Sequence, residues 1–263
     1  MSGSPWDLLA PGSAEATILS ACRLGGLILV APMFSSKMVP MQVRTALLIV
    51  LTVVMQPAVQ ATALAGATLT PGTFLTETMI GFSLGLGAAL LVAAAELAAD
   101  LMSQAIGLSG AAVLDPIGGH QTSVIGQAFA LLAATLLLAA DAHHIMLDAV
   151  AQSFTRVPVG AALNVPNGLR VLSQHGGIMF ALGLQIAAPV IAAALITNVG
   201  LGIMSRAVPQ LNLMNLAFPV QIAVGLFTLA ASLPFLGMLS SGWGEQTRAM
   251  GNEVITALLR VPR

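Results

Sequence analysis

The chain has 263 residues, of which 57% are hydrophobic and only 7% charged, with a mean hydropathy of +0.94. An ordinary soluble domain carries roughly 25% charged residues, so a soluble globular protein is excluded. Nine Lys and Arg against ten Asp and Glu offer no basic stripe for phosphates, so no nucleic-acid partner is expected; a lone cysteine, Cys22, excludes an internal disulfide framework and a thiolate metal site.

A helix needs roughly 20 residues to cross a hydrocarbon core. Runs of that length fall at about 16–36, 44–66, 79–99, 124–140, 178–204 and 213–239. They predict an all-α, polytopic membrane protein of about six apolar helices in one membrane domain spanning 1–263. The box Leu19-Ser20-Ala21-Cys22 has the form of a lipoprotein cleavage site, but residues 1–18 hold Asp7 and Glu15 and no Lys or Arg. Neither lipidation nor a cleavable signal peptide is therefore expected.

Several runs are flawed as lipid-facing spans. The first contains Arg23, the second Gln56-Pro57, the fifth Pro189, and the sixth Pro219 and Pro234. Such helices are expected to be kinked or broken and to face protein as well as lipid, since freed backbone groups and the polar Gln185, Thr197, Asn198 and Gln221 need partners. In the third run, Gly81, Gly85 and Gly87 precede AALLVAAAELAAD, which makes a packing helix that neighbouring backbones can approach closely. Glu96 and Asp100 end it four residues apart, on one face. They read as a helix end reaching water or as an acidic site facing a partner or pore.

The segment from Gln104 to Gln127, QAIGLSGAAVLDPIGGHQTSVIGQ, is hostile to helix, with five glycines and a proline. Its core runs Gly107, Leu108, Ser109, Gly110, Ala111, Ala112, Val113, Leu114, Asp115, Pro116. A non-helical loop at membrane depth is tolerable only if buried in protein or lining a water-filled cavity. The residues alone leave a re-entrant, plug-like element and a surface loop both open.

Two constellations test for chemistry. Gly107-Leu108-Ser109-Gly110 has the G-x-S-G form of rhomboid-type intramembrane serine proteases, with His143, His144 or His175 as base, but Asp115-Pro116 and Gly118-Gly119 break the helix that such a serine should begin. Asp141, His143, His144 and Asp148 form the second. His144 and Asp148 can share a helical face, yet adjacent histidines should diverge and no third strong ligand follows at matching spacing. Neither catalysis nor a metal or other cofactor is expected, and Asp141 reads as the cap of a short helix. That helix is followed, after Val157-Pro158, by a loop extending to about residue 177.

Further on, Arg206, Pro209 and Gln210 mark a turn between the last two runs. Simple alternation places Arg156, Arg170, Arg248, Arg260 and Arg263 on one side and Lys37, Arg44 and Arg206 on the other. This thin excess favours a cytoplasmic C-terminus.

Read in order, Gln104, Gly107-Leu108-Ser109, Asp115-Pro116, Gln121, His143-His144, Ser153-Phe154, Pro158-Val159-Gly160, Arg206-Ala207-Val208-Pro209-Gln210, Asn212 and Phe218-Pro219 resemble the FliR family of flagellar biosynthetic proteins. The T components of virulence type III secretion systems are its relatives. Asp141-Ala142 stands where the family usually has Asn-Gly, and Gly110 where methionine is common. The resemblance implies a non-catalytic subunit of the protein export gate in the bacterial inner membrane, at the flagellar basal body. It implies FliP and FliQ as partners, with FlhB and FlhA, and unfolded export substrates as cargo. It also implies a FliP-like part at about 16–140, a FliQ-like hairpin at about 178–239 and a plug at Gly107 to Pro116; an assembly role is expected of Arg206, Pro209, Gln210, Glu96 and Asp100. A virulence T component, a rhomboid-like protease and a small-solute transporter are the alternatives.

Overall fold

The computed structural model describes residues 13–36, 39–62, 68–108, 124–161, 165–207 and 213–259. Among these there is helix and no strand: α1 Ser13–Val30, α2 Pro32–Ser35, α3 Met41–Thr62, α4 Pro71–Ala105, α5 Val124–Ala139, α6 Ala142–Arg156, α7 Val165–Ala207, α8 Leu213–Ser240 and α9 Trp243–Leu259. The all-α membrane expectation is met. Four helices are long and apolar enough to cross a membrane: α3, α4, α7 from Pro166 and α8 from Ala217; α5 and α6, bent by 63° at their junction, make a fifth if taken as one broken span.

The first apolar run departs from a lipid-facing span. It is α1, whose Leu19, Leu24, Leu27 and Arg23 are all fully buried in protein. Prolines break none of the other runs, for Pro57, Pro189, Pro219 and Pro234 all lie inside continuous helices. Nor is the stretch after Val157-Pro158 a loop as far as residue 177. Helix α7 starts at Val165, because Pro166 falls in the first turn, where its missing N–H is no loss. Gly168 then allows α7 to meet Leu258 of α9, whose side chain a Cβ would strike. At 35 and 43 residues, α4 and α7 are roughly 52 and 65 Å of helix, more than a bilayer core requires.

The chain divides into two compact units. The first comprises Met1–Leu90, Leu137–Gly176 and Trp243–Arg263. Here α1 packs on α3, and α6 packs on both α3 and α9. Glycines set the closest approaches. A Cβ on Gly81 would run into the carbonyl oxygen of Arg23, and one on Gly26 into that of Thr78, so α1 and α4 touch backbone to backbone. Gly87 faces α9 less tightly, where a Cβ would lie 3.3 Å from the Thr247 carbonyl oxygen and from the Met250 Cβ. Helix α9 is amphipathic, burying Trp243, Thr247, Met250, Val254 and Leu258 at helical spacing.

The second unit comprises Leu91–Leu136 and Gly177–Gly242. Gly183 of α7 lies against Leu97 and the carbonyl of Ala94. Elsewhere α7 and α8 present bare apolar side chains, with Ile196 73%, Phe227 77% and Met238 70% exposed. In the first unit α3 does the same with Ile49, Val50, Val53 and Val54. Water does not tolerate so much apolar surface, so these faces require lipid or other protein.

Candidate functional site

Three clusters carry the polar chemistry of the described residues. The first is built on Arg23, whose side chain is wholly buried. Its Nε donates to Oε2 of Glu77 at 2.7 Å, its Nη1 to Oγ of Ser153 at 3.0 Å and its Nη2 to the carbonyl of Val157 at 3.0 Å. The guanidinium carbon lies 4.5 Å from the centroid of the Phe154 ring, a cation–π distance. Oε1 of Glu77 accepts from the backbone N–H of Gly160 at 2.9 Å. The planar fork of arginine suits this many-sided arrangement, which a lysine could not reproduce.

Local sequence explains the receptor. Helix α6 ends with the N–H of Val157 donating to the carbonyl of Ser153, and Pro158 prevents its continuation. The chain then turns through Pro158-Val159-Gly160-Ala161, closed by Ala161 N–H to the Pro158 carbonyl at 3.1 Å. Gly160 has φ 84°, the positive value that the third position of a type II turn demands. That turn aims the Gly160 N–H at Glu77. Sequence reasoning took Arg23 for a flaw in a span and did not single out Glu77. A lone acid just before one apolar run and a lone base inside another were the available signal.

The second cluster, in the other unit, is the stem of the central loop. Helix α4 ends in a Schellman motif: Leu108 N–H donates to the Ser103 carbonyl at 3.0 Å and Gly107 N–H to that of Gln104 at 3.1 Å, with Gly107 at φ 82°. One more end carbonyl, that of Ala105, accepts from Nε2 of Gln221 on α8 at 2.8 Å. Below it, Ile106 is fully buried against Gly225, where a Cβ would collide with the Ile106 Cγ2. Gly107 itself faces the Phe218 ring and Gln221. Of the ten loop residues, Gly107 and Leu108 are thus placed, while Ser109 to Pro116 lie outside the described residues, as do Pro209 and Gln210. Glu96, Asp100 and Arg206 are exposed, Arg206 in the last turn of α7, where a cation complements the helix dipole. Among the described residues no ion pair joins Arg206 to either acid.

The third cluster sits at the α5–α6 junction. Asp141 occupies the N-cap position of α6 but adopts φ 55° and makes no side-chain cap bond, so the expected capping role is not filled. Instead of diverging, the rings of His143 and His144 lie 4.1 Å apart between centroids. His144 Nδ1 is 3.4 Å from Oδ1 of Asp141. One donor atom from each of Asp141, His143 and His144 falls within 4.8 Å of the others. Asp148, the ligand that the sequence spacing favoured for His144, instead accepts from Gln152 at 2.9 Å and lies 3.8 Å from Arg248. His175 is 3% exposed, with Nε2 3.0 Å from Oε2 of Glu253 on α9.

Residues 14–246 match the family described as bacterial export proteins, family 1. The flagellar biosynthetic protein FliR of Pectobacterium carotovorum subsp. carotovorum is 31% identical over 219 residues, 81% of this chain and 82% of that protein. FliR of Escherichia coli K12 is 27% identical over 215 residues, covering 81% and 82%, and FliR of Bacillus subtilis 168 is 34% identical over 158 residues, covering 58% and 60%. The matched region takes in the Arg23–Glu77 network, the α4 stem and the histidine junction, and on this evidence the chain belongs to the FliR family of bacterial export proteins.

Proposed function

We propose that this chain is a non-catalytic subunit of the flagellar protein export gate. Membership of the FliR family and the apolar helices support a membrane-embedded component of the flagellar export apparatus. The finer reading is that residues Gly107 to Pro116 obstruct the closed channel, by small apolar packing and dewetting, until an unfolded substrate displaces them. The observation that carries it is the stem: a loop meant to seal must leave a fixed point, and Gly107 and Leu108 leave α4 through a Schellman motif held to α8 by Gln221.

In this reading the bare faces of α3, α7 and α8 are covered by FliP, FliQ and lipid in the inner membrane at the basal body, with FlhB and FlhA nearby. Residues of about 16–140 act as the FliP-like part and about 178–239 as the FliQ-like hairpin. Arg206, with Pro209 and Gln210, engages a partner carboxylate or carbonyl at the hairpin turn, and Glu96 and Asp100 offer an acidic face to the assembly. The energy for export comes from elsewhere in the apparatus. All the relatives named above are flagellar, which favours this system over a virulence one.

Deleting residues 110–114 tests the seal. Cells carrying the deletion should leak ions across the inner membrane, whereas unchanged permeability around an intact assembly rejects the plug. For the turn, Arg206→Ala should lower recovery of partner subunits on co-purification several-fold, and undiminished recovery removes the assembly role.

A further inference from the structure

We propose that Asp141, His143 and His144 form a surface site for a borderline divalent metal of the zinc class, and that the metal fixes the start of α6. Residues 143 and 144 are neighbours on a helix, where side chains normally point about 100° apart. Here their side-chain rotamers bring the rings together, 4.1 Å between centroids with an interplanar angle of 37°. The carboxylate of Asp141 completes the group, with one donor atom from each residue within 4.8 Å of the others.

Donors around a tetrahedral zinc at about 2.0–2.1 Å stand roughly 3.4 Å apart, so modest side-chain rotations bring these three into place. Little opposes that movement. The 3.4 Å between His144 and Asp141 is too long for a strong hydrogen bond, and Nδ1 of His143 is shielded from water with no hydrogen-bond partner. The nearest turn of α6 leaves the group free of cations, since Arg248 lies against Asp148.

Two imidazoles and one carboxylate select zinc, nickel or copper over magnesium and calcium, which prefer all-oxygen shells. The partial positive charge at the start of α6 works against a cation, and the Asp141 carboxylate offsets it. With side chains of Asp141 and His144 73% and 72% exposed, water completes the coordination. A metal held this way ties the residue before α6 to its first turn. The site stands independently of the gating reading.

The test is zinc titration by calorimetry of the full-length chain in detergent, purified through a tag without histidine and stripped by chelator. One saturable zinc per chain is expected, undisturbed by excess magnesium. His144→Gln should weaken it at least about tenfold, since the variant removes one of three protein ligands. His143→Gln should do the same and Asp141→Asn should weaken it less. Cu²⁺ bound in place of zinc should show two nitrogen couplings by electron paramagnetic resonance, falling to one in His144→Gln. Absence of saturable binding overturns the proposal, and so does binding that His144→Gln leaves unchanged. Because the His144 side chain is mostly exposed, that variant does not put folding at stake.

Discussion

Replacing Arg23 by alanine should destabilise the first unit by about 3–5 kcal/mol, because a buried carboxylate is left without its counter-charge. Glu77 is 1% exposed, and among the described residues its Oε2 has no other partner than the guanidinium, while Oε1 keeps the Gly160 N–H. The variant also leaves the Val157 carbonyl without the arginine's N–H and removes the donor to Ser153 Oγ, which keeps its own bond to the Val150 carbonyl at 2.7 Å. Three separate segments, α1, α4 and the turn after α6, therefore lose their common anchor. Detergent-solubilised protein should unfold at a clearly lower temperature, and its steady-state level in membranes should fall severalfold. Glu77→Ala should be about as severe. The double change Arg23→Leu with Glu77→Leu should recover part of the loss, since buried ion pairs are often replaceable by apolar groups of similar size. An Arg23→Ala protein as thermostable and abundant as the parent would show that the pair contributes nothing.

Much of the fold was legible because a bilayer demands long apolar runs. The runs at 44–66, 79–99, 124–140 and 213–239 lie within or close to α3, α4, α5 and α8. Searching for such runs also hid what is not one. Helix α9 went unread although Trp243, Thr247, Met250, Val254 and Leu258 repeat at helical spacing, since only one of its faces is apolar. The start of α7 was read as loop because Pro166, Gly168 and Gly176-Gly177 all weigh against helix locally. Contact with α9 at Gly168 offsets that penalty, and no local rule reports such a contact. The close packing of α4 through Gly81, Gly85 and Gly87 was legible, for it needs only the absence of side chains.

The site was less legible. Glu77 pairs with a residue 54 positions away, and pairing at that distance leaves no periodic trace. Pro158 reads in the sequence as a helix stop, and Ser153-Phe154 and Pro158-Val159-Gly160 as part of the family resemblance, yet each also has a physical duty around Arg23: hydroxyl acceptor, ring face, helix stop and turn. At the histidine junction the helical wheel gives the directions of the Cα–Cβ bonds of His143 and His144, not their χ angles, and the χ angles bring the two rings together.

Under the proposed plug role, changing Gly225 to valine should dislodge the stem of the central loop and make the membrane leak. Ile106 Cγ2 already occupies the space that a Cβ at 225 needs, and Ile106 is fully buried, so its side chain cannot swing into solvent. Overpacking of this kind costs about 1–3 kcal/mol, well short of unfolding a helical protein of this size but enough to part α4 from α8 at their contact. Gln221→Leu acts at the same place by a different route, leaving the part-buried Ala105 carbonyl without its donor at a cost of about 1–3 kcal/mol. Both variants should assemble, and both should raise ion permeability of the inner membrane and depress motility. In the proposed gating the stem acts through the loop it holds, so Gly225→Val placed on top of the 110–114 deletion should add no further leak. A tight membrane and normal motility in Gly225→Val would detach the stem from gating, while a leak that grows in the combined variant would place the seal on the α4–α8 contact itself.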